Sequence, residues 1–465
     1  MAMLGSPDEA SEVLTMYIPP TESAEVTLAM LADMGRGTTD DSKTWHEYGT
    51  PSIYTSQVLG ELASANKLDA AFLFGDLSYA VGYSSVWEEW LDQIEPLASA
   101  VPFQVSMGNH EYNSPFDTWP KDTLGNAYVP DRYGGGDSGG ECGVPAKTLL
   151  GEVELFSGVT IGMVTVVSMN TEIDFDTGSD QWEFIKNQLA AVDRQQTPWV
   201  VLTGHRPGLI DSSYGSCDAC HGGDNCTCTE GADPSDLGVM AALQREIGPL
   251  LEEYRVDLAF WGHNHVYQRH CAYNYATGEC TMRSAPLEVN GSTIAVYEQP
   301  MCPPSPVHIV VGAAGADFTR NSNNASYSEV VLYEHGFVQL HAANSTFLEG
   351  KFIDVVHGSV VLDHFALVRQ SGGKSCEAAS PEEQEEDLFA GGSAAHVVFI
   401  FTVVILAVLA VVLVFYGVTF YFYDRPPKNH FMLREREYEE PRDLDLDQDH
   451  LEMQSNVLGS SFRSN

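Results

Sequence analysis

Residues 70–79 read AAFLFGDLSY, an apolar run closed by a glycine and a polar loop. A short apolar run ended by glycine reads as a buried strand, with the loop aspartate, serine and tyrosine just past its end. The arrangement recurs in VTLAMLADMG (26–35), FQVSMGNHE (103–111), WVVLTGHRP (199–207) and VDLAFWGHNH (256–265). Strands are expected over 26–31, 70–74, 103–107, 161–168, 199–203 and 256–261, and amphipathic segments between them predict helices over 52–66, 85–98, 179–192 and 237–254. That alternation is the pattern of an α/β domain. From 306 to 367 the runs are strand-like and helix-poor, which predicts a smaller β-rich subdomain packed on the first. In open α/β sheets ligands lie beyond the carboxyl ends of the strands, so five polar loops in equivalent positions should converge on one pocket.

The side chains in these loops are metal donors. A two-metal site needs a carboxylate to bridge ions about 3.5–4 Å apart, with terminal ligands that leave a position open on each. Asp76 is the natural bridge; Asp33, Tyr79 and His265 complete one site, and Asn109, His205 and His263 the other. A phenolate with two carboxylates is a hard anionic set suited to Fe(III). Imidazoles with an amide oxygen suit a divalent ion such as Zn, Mn or Fe(II).

The 465 residues exceed what one core of about 250–300 residues needs, so a catalytic domain with appendages is expected. With 65 Asp and Glu against 23 Lys and Arg, the net charge of −42 speaks against nucleic acid as a partner, which is bound through cationic patches. Small phosphates stay open, because two metal cations reverse the field locally.

Residues 397–423 form 27 positions without a charge, so a transmembrane helix is predicted over 396–423. No Lys or Arg occurs in 376–395, whereas Arg425, Lys428, Arg434 and Arg436 follow the span. That asymmetry puts residues 424–465 in the cytosol as a disordered tail, 368–395 as a stalk, and everything before them in a lumen or outside the cell. All nine cysteines precede the span, as do four glycosylation sequons at Asn225, Asn290, Asn324 and Asn344. The cluster Cys217, Cys220, Cys226 and Cys228 is expected to form disulfides in preference to a zinc knuckle; Cys271 and Cys280 read as a second local pair, and Cys376 as a candidate link for a homodimer. Residues 1–13 have neither the basic nor the apolar region of a signal peptide, so 1–25 read as the remnant of a preceding segment.

The five loops are similar to the motif blocks of purple acid phosphatases, within the calcineurin-like metallophosphoesterase superfamily. Many superfamily members open with Asp-x-His; here Asp33-Met34-Gly35 stands in that place, and Tyr79 follows Asp76 by three residues, as in purple acid phosphatases. DSGGECGVP (137–145) and PVHIVVGAAG (306–315) resemble the larger plant-type members, some of them nucleotide pyrophosphatase/phosphodiesterases. The resemblance runs from about 26 to 367. It implies a sandwich of two mixed β-sheets flanked by helices, with a metallophosphoesterase domain over 26–300 and a C-terminal subdomain over 301–367.

The implied activity is acid hydrolysis of phosphate monoesters at a dinuclear Fe(III)–M(II) centre, a metal-bound hydroxide attacking phosphorus in line with the leaving group. The alternative is a nucleotide pyrophosphatase/phosphodiesterase on the same metals. Around the catalytic Asp76, His110 is expected to bind phosphate or protonate the leaving group. Asn109, Glu111 and Arg206 join it on the substrate side, Glu111 also orienting His110 and Arg206 either clamping a phosphate oxygen or forming a structural salt bridge. Two departures stand out: Ala32 replaces a usual glycine, and only about 25 residues occupy the place of the fibronectin-like domain of larger members. An inactive scaffold is the third reading, and the presence of all seven ligands argues against it.

Overall fold

In the computed structural model the described residues are 17–20, 23–37, 49–112, 138, 141–150, 156–212, 236–299 and 303–369. The predicted span and tail, residues 370–395 of the predicted stalk, the cysteine cluster at 217–228, Asn225 and Cys376 lie outside them, while Val368 and Arg369, expected to begin the stalk, end the last strand instead. Among the described residues no helix is long and apolar enough to cross a membrane.

Every run that opens onto a polar loop folds as a strand. β1 (Val26–Leu31), β2 (Ala70–Phe74) and β3 (Phe103–Ser106) pair in parallel, with α1 (Pro51–Ser64) and α2 (Ser84–Ala98) as crossovers. The loop after β3 winds at once into the short α3 (Asn109–Tyr112), and α4 (Val144–Leu150) follows. In a second sheet β4 (Ser157–Ile161) and β5 (Val164–Ser168) form a hairpin where one strand was expected over 161–168, because the chain reverses at Gly162 and Met163. Beyond α5 (Asp180–Ala190), β6 (Trp199–Gly204) lies parallel to β5. The helix expected over 237–254 is two, α6 (Asp236–Glu246) and α7 (Gly248–Glu253), since Gly248-Pro249 starts a new one. β7 (Leu258–Trp261) then pairs with β6.

The strands after β7 complete both sheets instead of forming one of their own. They are β8 (Tyr267–Asn274), β9 (Glu279–Met282), β10 (Ala285–Val289), β11 (Ser292–Gln299), β12 (Val307–Val311), β13 (Ser328–Leu332), β14 (Gly336–Asn344), β15 (Phe347–Asp354) and β16 (Val360–Arg369). One sheet runs β10-β11-β16-β15-β14-β1-β2-β3, and the other β13-β8-β12-β7-β6-β5-β4 with β9 paired to β8. The Cys271–Cys280 disulfide joins β8 to β9, as the spacing predicted.

Alternation along the strands sorts the core into layers. Leu28, Met30, Phe72 and Phe74 face Val166, Val201, Phe260 and Ile309 between the sheets. Leu31 and Leu73 turn the other way onto Leu59, Trp87, Trp90 and Ile94 of α1 and α2. Leu202 and Val310 pack outward on Leu189, Leu243 and Leu251 of α5–α7. Burying a large aliphatic or aromatic side chain contributes about 1.5–3 kcal/mol, so the strand ends are held on a rigid base.

Candidate metal centre

The loops meet because their backbones are tied. Met34 and Gly35 donate to the carbonyls of Asp76 (3.1 Å) and Leu77 (2.9 Å), and the Gly262 amide donates to His205 O (2.8 Å). Between the sheets, the His263 amide donates to Asp33 Oδ2 at 2.8 Å. Beneath them the Glu111 carboxylate accepts the amides of Leu77 (2.7 Å), Asp76 (2.9 Å) and Gly108 (2.9 Å), joining the second and third loops.

All seven predicted ligands come together. Asp33, Asp76 and His265 form one group of donor atoms within 4.8 Å of one another, and Asp76, His205 and His263 a second, so Asp76 belongs to both. Tyr79 Oη joins the first, 3.2 Å from Asp33 Oδ1 and 2.8 Å from His265 Nε2. Asn109 Oδ1 joins the second, 2.9 Å from His205 Nε2 and 2.8 Å from His263 Nδ1. The approach is too close for ordinary backbone. A Cβ on Gly108 would lie 2.3 Å from Asp76 Oδ1, and one on Gly75 2.3 Å from His205 Nδ1. Asp33 (φ 60°), Asp76 (53°), Tyr79 (53°) and His263 (66°) are all left-handed, a strain of about 1 kcal/mol or more each that persists where surrounding structure enforces it.

Hydrogen-bond accounting tests whether metals fit. His205 Nδ1 lies 3.2 Å from Phe74 O, which only accepts, so Nδ1 carries a proton. Yet Nε2 of the same ring faces Asp76 Oδ1 at 3.1 Å and Asn109 Oδ1, also acceptors. A neutral imidazole cannot donate from both nitrogens, so either a proton or a metal ion must lie at His205 Nε2. His265 Nδ1 likewise donates to a carbonyl, Asp317 O at 2.7 Å, which leaves its Nε2 facing Tyr79 Oη at 2.8 Å and Asp33 Oδ1 at 3.3 Å. A ring whose far N–H is fixed by a carbonyl is the usual metal-ligand arrangement. The donor set therefore fits a pair of cations.

With the protein's own charges alone, burial pulls His205 down, but Asp76 and Asp33 push it up to about 9. Burial would raise Asp76, and His205, His110 and His263 together hold it well below the usual carboxylate range. Burial, then the charges of Asp33, Asp76 and Glu111, push the Tyr79 phenol well above its ordinary value. A bound cation inverts this logic and favours the phenolate.

Among the other predicted residues, His110 donates its amide to Asp76 Oδ1 at 3.0 Å, and its ring packs on Tyr79 with centroids 4.2 Å apart. Its buried Nδ1 has no hydrogen-bond partner among the described residues. Glu111 is placed differently from a substrate contact: it is fully buried and its oxygens serve the loop amides, so it acts on substrate only through the loops it pins. Arg206 is 3 % exposed; its Nε donates to Glu172 Oε1 at 2.8 Å, and an Nη lies 3.3 Å from His263 Nε2. Of its two expected roles, the salt bridge is the one this geometry contains. Glu172 and Thr171, whose hydroxyl accepts the Arg206 amide at 2.9 Å, are supporting residues that sequence reasoning passed over. Their signal was a sixth polar loop, Asn170-Thr171-Glu172, two residues past β5.

The chain matches the calcineurin-like phosphoesterase family over residues 28–267 and the iron/zinc purple acid phosphatase-like protein C family over 305–364. An Arabidopsis thaliana protein named "Probable inactive purple acid phosphatase 27" is 30% identical over 359 residues, 76% of this chain and 51% of that protein. A Hordeum vulgare nucleotide pyrophosphatase/phosphodiesterase is 33% identical over 364 residues, 76% of this chain and 87% of that protein. Against three Arabidopsis relatives the chain spans 51%, 47% and 48% of their length. The purple acid phosphatase of yellow lupin (Lupinus luteus) seeds superposes with a TM-score of 0.57 at 29% identity, covering 76% of this chain and 55% of that one. The loops, the donor set and these matches agree: the chain belongs to the calcineurin-like phosphoesterase family, among its purple acid phosphatases.

Proposed function

We propose that this chain hydrolyses phosphate monoesters at acid pH, with Fe(III) held by Asp33, Tyr79 and His265, a divalent ion (Zn, Mn or Fe(II)) held by Asn109, His205 and His263, and Asp76 between them. The observation that carries the reading is Tyr79, whose phenol oxygen sits among Asp33 and His265 in an oxygen-rich, anionic set that suits a hard trivalent ion. When bound, the ions lower the pKa of a water and neutralise phosphoryl oxygens. The His110 ring, with a side chain 13% exposed and Nε2 3.9 Å from Asp76 Oδ2, is the group that offers a proton to the leaving oxygen. Arg206, anchored by Glu172, orients His263. Glu111 fixes the two loops that carry Asp76 and Asn109.

The second reading, a nucleotide pyrophosphatase/phosphodiesterase, is favoured by the barley relative, of which the alignment spans 87%. We also read residues 396–423 as a membrane anchor, with the phosphatase on the lumenal or extracellular side. The Cys271–Cys280 disulfide supports an oxidising compartment. Turnover of p-nitrophenyl phosphate, its bis ester and ADP by the metal-loaded chain tests these readings. A preference for the monoester of about tenfold or more in kcat/KM supports the first. The opposite order supports the second, and no turnover with both metals bound sinks both.

A further inference from the structure

The β10 end of the first sheet, far along it from the metal centre, exposes a group of apolar residues. Leu287 is 51% exposed, Val289 39%, Val360 49%, Val361 44% and Leu362 40%. They lie on the edge strand β10 and on β16, the two strands that flank β11. Val289, Ile294, Val361 and Leu362 line a shallow cleft of ≈ 580 Å³, with Lys351 and His364 among its walls. Lys351 and His364 both reach Glu349, at 2.7 and 2.8 Å, so the polar side of the cleft is held in place. Contiguous exposed apolar surface with a polar rim marks a surface that something covers.

The β10–β11 hairpin that borders the cleft turns on Asn290 (φ 50°) and Gly291 (φ 83°), with Val289 paired to Ser292. This is the two-residue Asn-Gly turn that hairpins favour. Asn290-Gly291-Ser292 is also a sequon, and Asn290 is itself exposed and lines the cleft. Both requirements of a glycan acceptor, sequence and an exposed turn, meet beside the largest exposed apolar stretch of the described strands.

We propose that Asn290 carries an N-linked oligosaccharide whose first sugars lie along this cleft, covering the apolar patch. In the transfer, Asn290 Nδ2 loses a proton and bonds to C1 of the first sugar. The C1–O bond to a lipid pyrophosphate carrier breaks, and the lipid pyrophosphate leaves with the electron pair. The apolar faces and acetyl methyls of the sugars rest on Val289, Ile294, Val361 and Leu362, and their hydroxyls meet Lys351 and His364. Clefts of about 300–1,000 Å³ are the range in which small ligands are held. The proposal rests on the lumenal reading of the catalytic domain.

Two other sequons supply the internal control. Asn324 is exposed, and so is Asn344, at the β14–β15 turn with its Oδ1 accepting from Thr346 N at 2.8 Å and Oγ1 at 2.9 Å. The test is to express the full chain through the secretory pathway of a eukaryotic cell and map glycopeptides by mass spectrometry before and after enzymatic deglycosylation. Wild type is then compared for binding of an apolar dye with Ser292→Ala, which removes the sequon and keeps the Asn290-Gly291 turn. The expected result is a glycan on Asn290, and a several-fold rise in dye emission on Ser292→Ala with phosphatase activity unchanged. Glycan on Asn324 or Asn344 with Asn290 bare overturns the proposal and leaves the lumenal reading standing. Absence of glycan from every sequon overturns the lumenal reading, and this proposal with it. A glycan on Asn290 whose loss leaves dye emission unchanged overturns its seat in the cleft.

Discussion

Two buried clusters of charge in this molecule differ in where their positive charge comes from. Around Arg269 the guanidinium donates to Asp363 through two nitrogens (2.7 and 3.0 Å), to Glu329 (2.8 Å) and to the Tyr297 hydroxyl (2.8 Å). Its cation is built in, and the cluster links β8, β11, β13 and β16 across the two sheets. At the strand ends Asp33, Asp76, Glu111 and Tyr79 are at most 1% exposed, but Arg206, 3.3 Å from His263, is paired with Glu172. Buried charge without a partner is expensive. The first cluster is closed and structural; the second depends on a proton at His205 or on a cation from solution, which is what a metal centre requires.

The sharpest way to break this contrast is to remove one carboxylate from each cluster. Asp76→Asn should lower turnover of the metal-loaded enzyme by about 10³-fold or more, several kcal/mol of stabilisation supplied through the ions. It should also abolish the rise in melting temperature that added metal gives wild type. Asp363→Asn should leave that rise intact and instead cost about 1.5–3 kcal/mol of stability with or without chelator, because it weakens charge-assisted hydrogen bonds to a buried guanidinium that Glu329 still pairs. Urea or thermal melts of both variants, with and without metal, read all four values. Equal metal responses in the two variants would contradict the division.

Next in size is a pH effect. The folded-state pKa of His205 is raised from 6.5 to about 9. Its contribution is therefore complete below pH 6.5 and lost as pH rises through about 9, on the order of 3 kcal/mol. Chelated protein should lose melting temperature across that window, while metal-loaded protein, with an ion in place of the proton, should not. A pH series of melts checks it, and parallel curves would count against metal binding at His205. Glu111→Gln is expected to be milder. Metal affinity should fall by about 10–100-fold, as for other residues that hold ligands in place, while stability to urea without metal changes less than in Asp363→Asn. Metal titration of the variant is the check.

Much of this was legible in the sequence, and the reason is geometric. β1 and β2 are largely apolar runs that end on a small residue before an aspartate, Ala32-Asp33 and Gly75-Asp76, and both fold over the residues expected, 26–31 and 70–74. Short loops then leave little freedom in where Asp33 and Asp76 can point. Less was legible where one signal has two readings. The run 161–168 is mostly apolar and its single turn residue, Gly162, stands near its start, so it reads as one strand although the chain reverses there and makes two. The strands after 306 looked like a separate subdomain because pairing partners are not written in a strand. β14 pairs with β1, more than 300 residues earlier, through contacts such as Val26 with Ala342. Support from backbone was invisible altogether. The carbonyls of Phe74 and Asp317 that fix His205 and His265 could belong to any residue. Glu111 carried a readable identity next to a ligand, but its direction, inward to three amides, follows from the α3 turn and not from the motif.

The most direct test of the central claim is the visible absorption spectrum of the chain loaded with iron and zinc, recorded beside metal analysis for wild type and Tyr79→Phe. A Tyr79 phenolate on Fe(III) predicts a charge-transfer band in wild type that is lost in Tyr79→Phe while two metal ions per chain remain bound. A fully metal-loaded wild type with no visible band, or a band that survives Tyr79→Phe, would contradict the account.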